Sequence, residues 1–371
     1  MVNFKRNNDL VLKRYEGNSM KGFSKKVLLA ASVAMAVGSI STAANACSRL
    51  VWETQDHGVF VSRTMDWMEA NQPTIDIRHA GQTYRGYDKD DALTWTSKYA
   101  SIGVSIYGVG IIDGFNEKGF AANALFLDEE NPGAPQAGKQ QIENSRFVAY
   151  LIDSFASVDE ALKHLDSIQI QQFSHNGIEM KGHYSLEDAS GDSAVLEYIN
   201  GAWQVHHGKQ YDVMTNSPEY AQHLKNWQEA QPKAKSDVNG EFPIPGNINS
   251  AQRFIWNSYM KDQLKEPSSY TNGIAKLDSV TYKIPLDAAN RPVNGEMRGY
   301  ATIYGLVYNL DQKVMNVRYQ YDDSYTQYSV DFNKLNDGHN YTIKADLPDL
   351  FGDISSRLEK GDGVMGQHLV K

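Results

Sequence analysis

ANACSRLVWETQDHGVFVSRTMDW, residues 44–67, joins a small-residue motif to two alternating segments around a turn. Ser48–Thr54 alternates and is rich in large or branched side chains, Gln55–Gly58 carries turn residues, and Gly58–Arg63 alternates again. That pattern predicts a β-hairpin. Arg63 and Asp66 lie near the end of its second strand, so the returning chain brings them back beside Cys47. An arginine near a thiol favours the thiolate, and a carboxylate there can hold an amine. The same pair also reads as a surface ion pair on a turn.

Upstream, Val27–Val37 is an apolar or small-residue run of 11, preceded by Lys21, Lys25 and Lys26 and followed by Ala44-Asn45-Ala46. A basic stretch, a short apolar stretch and a small-x-small site are the three parts of a secretory signal. A bilayer-spanning helix needs about 20 residues, so the run is too short for an anchor. Residues 1–46 are therefore expected to be a signal peptide, with Met20 as an alternative start, and the protein is expected to be periplasmic or secreted. No integral membrane segment is expected to remain after processing.

Cleavage after Ala46 makes Cys47 the first residue, and the chain has 1 cysteine. An α-amine titrates at about 7.7–8.0 and a thiol at about 8.5. The amine can thus accept the proton of its own thiol near neutral pH, so one residue supplies both nucleophile and base. Two other readings stand beside this one. Cys47 is a lipid anchor, although Ala44, Asn45 and Ala46 match a lipoprotein leader poorly; or it is a small buried residue without chemistry.

Seven of the 36 Lys and Arg and two of the 45 Asp and Glu lie in residues 1–46, which leaves 29 against 43, a net charge of −14, on the remainder. That balance excludes nucleic acid and anionic membrane surfaces as partners, because both require a basic face. With 41% hydrophobic residues the chain can build a large core. A single cysteine excludes an internal disulfide, a Cys-based zinc site and a CxxC redox motif.

With Cys47 followed by Arg63 and Asp66 in R-x-x-D-W, the chain resembles the choloylglycine hydrolase family, which includes penicillin V acylases and bile salt hydrolases, within the N-terminal nucleophile hydrolases. The resemblance continues in order through FNEKGFAANALF (115–126), LEDASGDSAVLEYINGAWQV (186–205), VMTNSPEY (213–220), NSAQRFIW (249–256) and the strand-rich segment 299–332. It implies roles at the matching positions. Cys47 is nucleophile and, through its amine, acid and base. Asp66 binds that amine, and Arg63 stabilises the sulfur. Asn216 donates its amide to the oxyanion, and Arg253 completes the polar network. Taken from the residues alone, Asn216 is also a turn residue and Arg253 a residue on a solvated helix face. One departure stands out. Where family members carry Asn or Tyr after the N-E-x-G-L segment, the ungapped match places Phe126 or Leu127, with Asn123 three residues out of register. The second oxyanion contact is then open, with a backbone N–H as the alternative.

The rest of the chain reads as alternating blocks. Strand pairs occupy 47–126. Phe147, Leu151 and Phe155 share a helix face, and Ser157–Glu160 is a capping box opening a helix with Val158, Ala161, Leu162 and Leu165 on one face. Strands return at 183–215 with an Asn200-Gly201 hairpin turn. Tyr220, Leu224 and Trp227 suggest a helix. Residues 230–248 read as a proline-containing loop, a helix spans about 250–264, strands run through 299–333, and a weakly patterned tail follows Pro348. This order suits an α+β fold in which two antiparallel sheets stack and helices flank them. The resemblance implies the same four-layer αββα sandwich, as one domain over 47–371. His206-His207 reads as surface rather than ligand, and Gly108-Val109-Gly110 is followed by a strand where a phosphate loop needs a helix. No metal or nucleotide cofactor is expected.

The expected function is hydrolysis of a linear amide in a small molecule through a Cys47 thioester, with Trp67 and Phe126 supplying an aromatic acyl pocket. Export, the apolar residue at Phe126 and the aromatic supply favour phenoxyacetyl amides of the penicillin V type and acyl-homoserine lactones over conjugated bile salts. The alternative from another class is a lipid-anchored binding protein acylated at Cys47. The resemblance also implies a homo-oligomer, a homotetramer.

Overall fold

The computed structural model describes residues 47–89, 91–236, 249–284, 291–293, 296–298, 300–321 and 324–370. The expected signal peptide, 1–46, lies outside them, as does 237–248 of the expected loop. The hairpin forms as read: β1 (Ser48–Glu53) pairs antiparallel with β2 (Val59–Trp67), with Ser48 opposite Thr64 and Glu53 opposite Val59.

This hairpin sits in a seven-stranded sheet. Its order is Val213–Thr215, β1, β2, Ala301–Asn309, Val314–Tyr321, Ser324–Asp331 and Phe351–Asp353. A nine-stranded sheet runs Ala202–His207, Ser193–Ile199, His183–Asp188, Phe120–Leu125, Gly110–Asn116, Ser101–Ile106, Thr74–Arg78, Tyr341–Lys344 and Glu359–Lys360. Pairing is antiparallel in both, apart from the parallel contact of Phe351–Asp353 with Ser324–Asp331. Period-two alternation divides each strand between two layers. Ile102, Val104, Phe115, Ala121 and Leu125 of the larger sheet join Val61, Met65, Leu306 and Tyr308 of the smaller in one core. Their neighbours Ile111, Phe120, Ala122, Tyr184 and Leu196 form a second core with the helices outside.

Helix α1 (Asn144–Ser154) and α2 (Val158–Leu162) cover the larger sheet, and α3 (Tyr220–Lys235), α4 (Ser250–Asp262) and α5 (Tyr270–Val280) lie on the smaller sheet's side. The fold is thus the expected α+β sandwich. Helix α1 approaches its sheet closely because glycines leave room. A Cβ on Gly110 would lie 1.8 Å from the Ser145 carbonyl oxygen, and one on Gly114 would meet Ile152. Ser157 caps α2, accepting from the Glu160 N–H (3.2 Å), while the Glu160 carboxylate reaches back past the cap to accept from the Ala156 N–H (2.8 Å). Asn200 and Gly201 both take positive φ, as a two-residue turn of this kind requires.

Two expectations need correction. Residues 230–235 are not loop: α3 continues to Lys235 with Pro232 inside it. The proline falls in the final turn, where only one helical bond is forfeited and few residues follow to be kinked. The stretch after Pro348, expected to be a weakly patterned tail, carries sheet strands, as does the segment just before it. Tyr341–Lys344 and Glu359–Lys360 extend the larger sheet, and Phe351–Asp353 edges the smaller. These strands are two to four residues long, too short to show a period. No described helix is long and apolar enough to cross a membrane.

Candidate active site

A cleft opens beside the first described residue. Its walls include Cys47, Arg63, Met65, Trp67, Ala124, Leu125 and Phe126, with Asn144, Phe173, Met180 and Tyr184 further along. Hairpin register does the positioning. Because Ser48 pairs with Thr64, Cys47 lies beside the Met65–Asp66 segment, and its Sγ is 3.7 Å from the Asp66 carbonyl oxygen. The strand Ala301–Asn309 shifts register between Thr302 and Tyr304, directly opposite Met65 and Asp66. Such a bulge re-aims side chains; here Tyr304 lies beside Arg63 and Thr302 beside Asp66.

Arg63 is fully buried. Its Nε pairs with Asp113 Oδ1 at 2.8 Å, its Nη2 donates to the Ala124 carbonyl (3.2 Å), and the Tyr304 ring lies under the guanidinium at 5.6 Å. Tyr304 in turn donates to Asp113 Oδ2 (3.3 Å). Sequence reading missed both Asp113 and Tyr304. The available signal was an aspartate in the middle of a strand whose neighbours are otherwise apolar, where an ionised group needs a partner.

Asp66 is also fully buried. Its Oδ2 accepts from Thr64 (3.3 Å), while Oδ1 makes no well-formed hydrogen bond among the described residues. Burial pushes this carboxyl up to about 7, against the pull of Arg253, Thr302 and Arg63. A cation placed at Oδ1 would reverse that shift. Burial likewise raises the Cys47 thiol, while Arg63 opposes the rise. A buried thiol of this kind needs a base at hand.

Arg253 and Asn216 adjoin the cleft wall through hydrogen bonds to the backbone carbonyls of Cys47 and Phe126. On α4, Ser250, Arg253, Phe254 and Asn257 are buried, the spacing of one helix face. That face turns Arg253 inward, not toward solvent. Its Nη1 donates to the Cys47 carbonyl and to Ser48 Oγ (2.9 Å), and its Nη2 donates to Asn216 Oδ1 (3.0 Å). With its carbonyl side so held, the Asn216 amide turns its Nδ2 to the Phe126 carbonyl, 2.8 Å away. One amide hydrogen remains for another acceptor.

All five expected polar residues are therefore brought together. Trp67 and Phe126 also share the cleft, with ring centroids 5.9 Å apart, and Trp67 Nε1 donates to Tyr107 Oη (2.7 Å). The position of the missing polar side chain has a backbone role instead, since the Phe126 carbonyl holds Asn216. Asn123 does not substitute for it. It is buried between the sheets, donating to Glu187 (2.6 Å) and accepting from Tyr308 (2.8 Å). His207 lies at the surface and pairs with Asp192 (2.8 Å), near Asp159.

The sequence model of the linear amide C-N hydrolases, choloylglycine hydrolase family, matches residues 47–349. A penicillin V acylase of Pectobacterium atrosepticum is 34% identical over 264 residues, 66% of this chain and 66% of that protein, so the match spans just under two thirds of the relative's length. A bile salt hydrolase/transferase of Bifidobacterium longum is 24% identical over 263 residues, covering 62% of this chain and 78% of that one. The solved structure of a penicillin V acylase from Agrobacterium tumefaciens superposes with a TM-score of 0.75 at 26% identity, covering 85% of this chain and 98% of the other. A conjugated bile acid hydrolase from Clostridium perfringens shares the fold at a TM-score of 0.67 and 21% identity, covering 82% of this chain and 98% of the other.

Proposed function

The chain belongs to the choloylglycine hydrolase family of linear amide C-N hydrolases, and on that premise we propose that it is an exported acylase of the penicillin V type whose nucleophile is Cys47. Removal of residues 1–46 frees the Cys47 α-amine. The amine takes the thiol proton, and Sγ attacks the amide carbonyl carbon. The C=O electron pair moves to oxygen, where the spare Asn216 N–H donates to it. The tetrahedral intermediate collapses, the C–N bond breaks, and the α-ammonium protonates the departing nitrogen. Water, deprotonated by the same amine, then cleaves the thioester. Ionised Asp66 holds the ammonium form through Oδ1, which makes no well-formed hydrogen bond among the described residues, and Arg63 supplies positive charge beside the sulfur.

The observation that carries this reading is the place of the lone cysteine. Its side chain forms the inner wall of an apolar cleft, with Arg63 in the same wall and Asp66 behind it. A lipid anchor fits poorly, because Cys47 is only 3% exposed and its Sγ lies 3.7 Å from the Asp66 carbonyl oxygen. Trp67 and Phe126, with ring planes inclined by 47°, give the cleft an aromatic lining suited to a phenoxyacetyl group or a fatty acyl chain. The higher identity to a penicillin V acylase than to a bile salt hydrolase also supports phenoxyacetyl amides, with acyl-homoserine lactones as the second substrate class. Periplasmic or secreted location and a homotetrameric assembly belong to the same reading.

The test is amine release from penicillin V, acyl-homoserine lactones and glycocholate, measured side by side on processed protein, with intact mass of its N-terminus. A free cysteine at residue 47 and preferential release from the first two are expected. Cys47→Ala should lower turnover by about 10⁴-fold or more. Hydrolysis retained by Cys47→Ala, or a diacylglycerol adduct on Cys47, would sink the proposal.

A further inference from the structure

The proposed oxyanion donor is only as well placed as the backbone that carries it. Asn216 follows the short edge strand Val213–Thr215 and precedes α3, so regular structure holds it on one side only until the helix begins at Tyr220. Its carbonyl oxygen receives two contacts. His223 Nε2 lies 2.7 Å away, from the first turn of α3, and Ser250 Oγ lies 2.9 Å away, from the start of α4.

These contacts are not equivalent. The Ser250 hydroxyl has one hydrogen and a second acceptor at 3.0 Å, Thr215 Oγ1, whose own hydrogen is directed to the Ser250 carbonyl (3.1 Å). The hydroxyl therefore divides its hydrogen between two acceptors. His223 has no such competition. A carbonyl can only accept, which places the ring hydrogen on Nε2 and leaves Nδ1 bare. Nδ1 is buried without a hydrogen-bond partner among the described residues. The ring stacks on Phe254 of α4 with centroids 4.9 Å apart and planes inclined by 12°, which fixes the direction of the donor. His223 is 0% exposed, and burial holds it neutral by pushing its pKa down to about 4.

We propose that His223 is a positioning residue for amide hydrolysis: its Nε2–H clamps the Asn216 carbonyl and, through it, sets where the Asn216 side-chain amide points. The inference rests on the Cys47 amidase reading and adds to it a residue that touches neither substrate nor sulfur. Because misplacing a reacting or stabilising group by about 1 Å can cost about 10²-fold in rate, loss of the clamp affects kcat rather than substrate capture.

The experiment compares processed parent, His223→Phe, His223→Gln, His223→Asn and Cys47→Ala on penicillin V, with Cys47 alkylation by iodoacetamide as a second readout. Phe keeps the stacked shape and loses the donor. Gln can reach the same carbonyl with its Nε2, and Asn falls short of it. His223→Phe is expected to lose about ten- to a hundred-fold in kcat with KM nearly unchanged, to be alkylated at the parental rate, and to be largely rescued by Gln. If the Phe protein does not fold, the Gln–Asn pair reads the same split. A His223→Phe enzyme with parental kcat overturns the proposal. So does alkylation that slows in step with kcat, or a folded Gln variant no better than Asn. Turnover by Cys47→Ala sinks the amidase reading itself, whereas an inactive Cys47→Ala beside a fully active His223→Phe sinks only the clamp.

Discussion

Arg49 and Arg63 face each other across the β1–β2 hairpin, and each points between the two sheets into a cluster of similar composition. Each cluster has an acid from the larger sheet, Glu187 or Asp113, and a tyrosine from the strand Ala301–Asn309, Tyr308 or Tyr304. They differ in closure. Arg49 Nε and Nη2 both bind Glu187 Oε2, Nη1 binds the Tyr211 carbonyl (3.1 Å), and Nη2 also reaches Ser193 Oγ (2.8 Å). Glu187 Oε1 is taken by Asn123. Around Arg63, Nη1 and Asp66 Oδ1 have no hydrogen-bond partner of good geometry among the described residues, and the guanidinium borders the cleft. The first cluster has every group matched within the fold, whereas the second, at the edge of the cleft, leaves polar atoms unmatched among the described residues.

That contrast can be broken in several ways. Arg49→Met strands Glu187 in the interior and should cost about 3–5 kcal/mol of stability, read by urea denaturation, while turnover per folded molecule stays parental. Arg63→Lys should do the opposite. A point charge cannot reproduce the planar fork, so kcat/KM should fall by about 10²-fold, with a melting temperature close to that of the parent. Equal losses of stability in both variants would erase the distinction.

The Asp66 carboxyl sharpens the comparison through pH. Its folded pKa, about 7, lies above the ordinary aspartate value, so between those two values the folded state holds a proton that the unfolded chain has released. Stability conferred by this group is therefore lost as pH rises through that window. With the Cys47 amine still blocked by the leader, the melting temperature should fall from pH 4 to pH 7, by an amount that Asp66→Asn removes. Freeing the amine places a cation beside Asp66 and should flatten the slope. Scanning calorimetry at several pH values checks each step. The smallest effects come from the tyrosines. Tyr308→Phe should cost about 1 kcal/mol and leave activity alone, whereas Tyr304→Phe should lower kcat a few-fold by loosening Asp113 and Arg63.

Much of the site was legible because it is local. The alternation of 48–63 placed Arg63 and Asp66 beside Cys47 within one hairpin, and the ordered resemblance carried Asn216 and Arg253. The partners that make those residues work were not legible. Asp113 meets Arg63 across 50 residues of sequence, and His223 meets Asn216 through a helix turn whose inward face no periodicity assigns to the cleft. The strands beyond residue 340 were missed because two- to four-residue edge strands are specified by the sheet they join.

By itself, the sequence determined the hairpin, through side-chain period, and the family, through an ordered set of motifs, and it set the lone cysteine within one hairpin of Arg63 and Asp66. Only the tertiary structure decided which of two opposed arginines is sealed and which borders a cleft, why the Phe126 position is met by its backbone, and what steadies Asn216. Those outcomes depend on hydrogen-bond partners drawn from distant segments, and the supply of partners is known only once the sheets have packed.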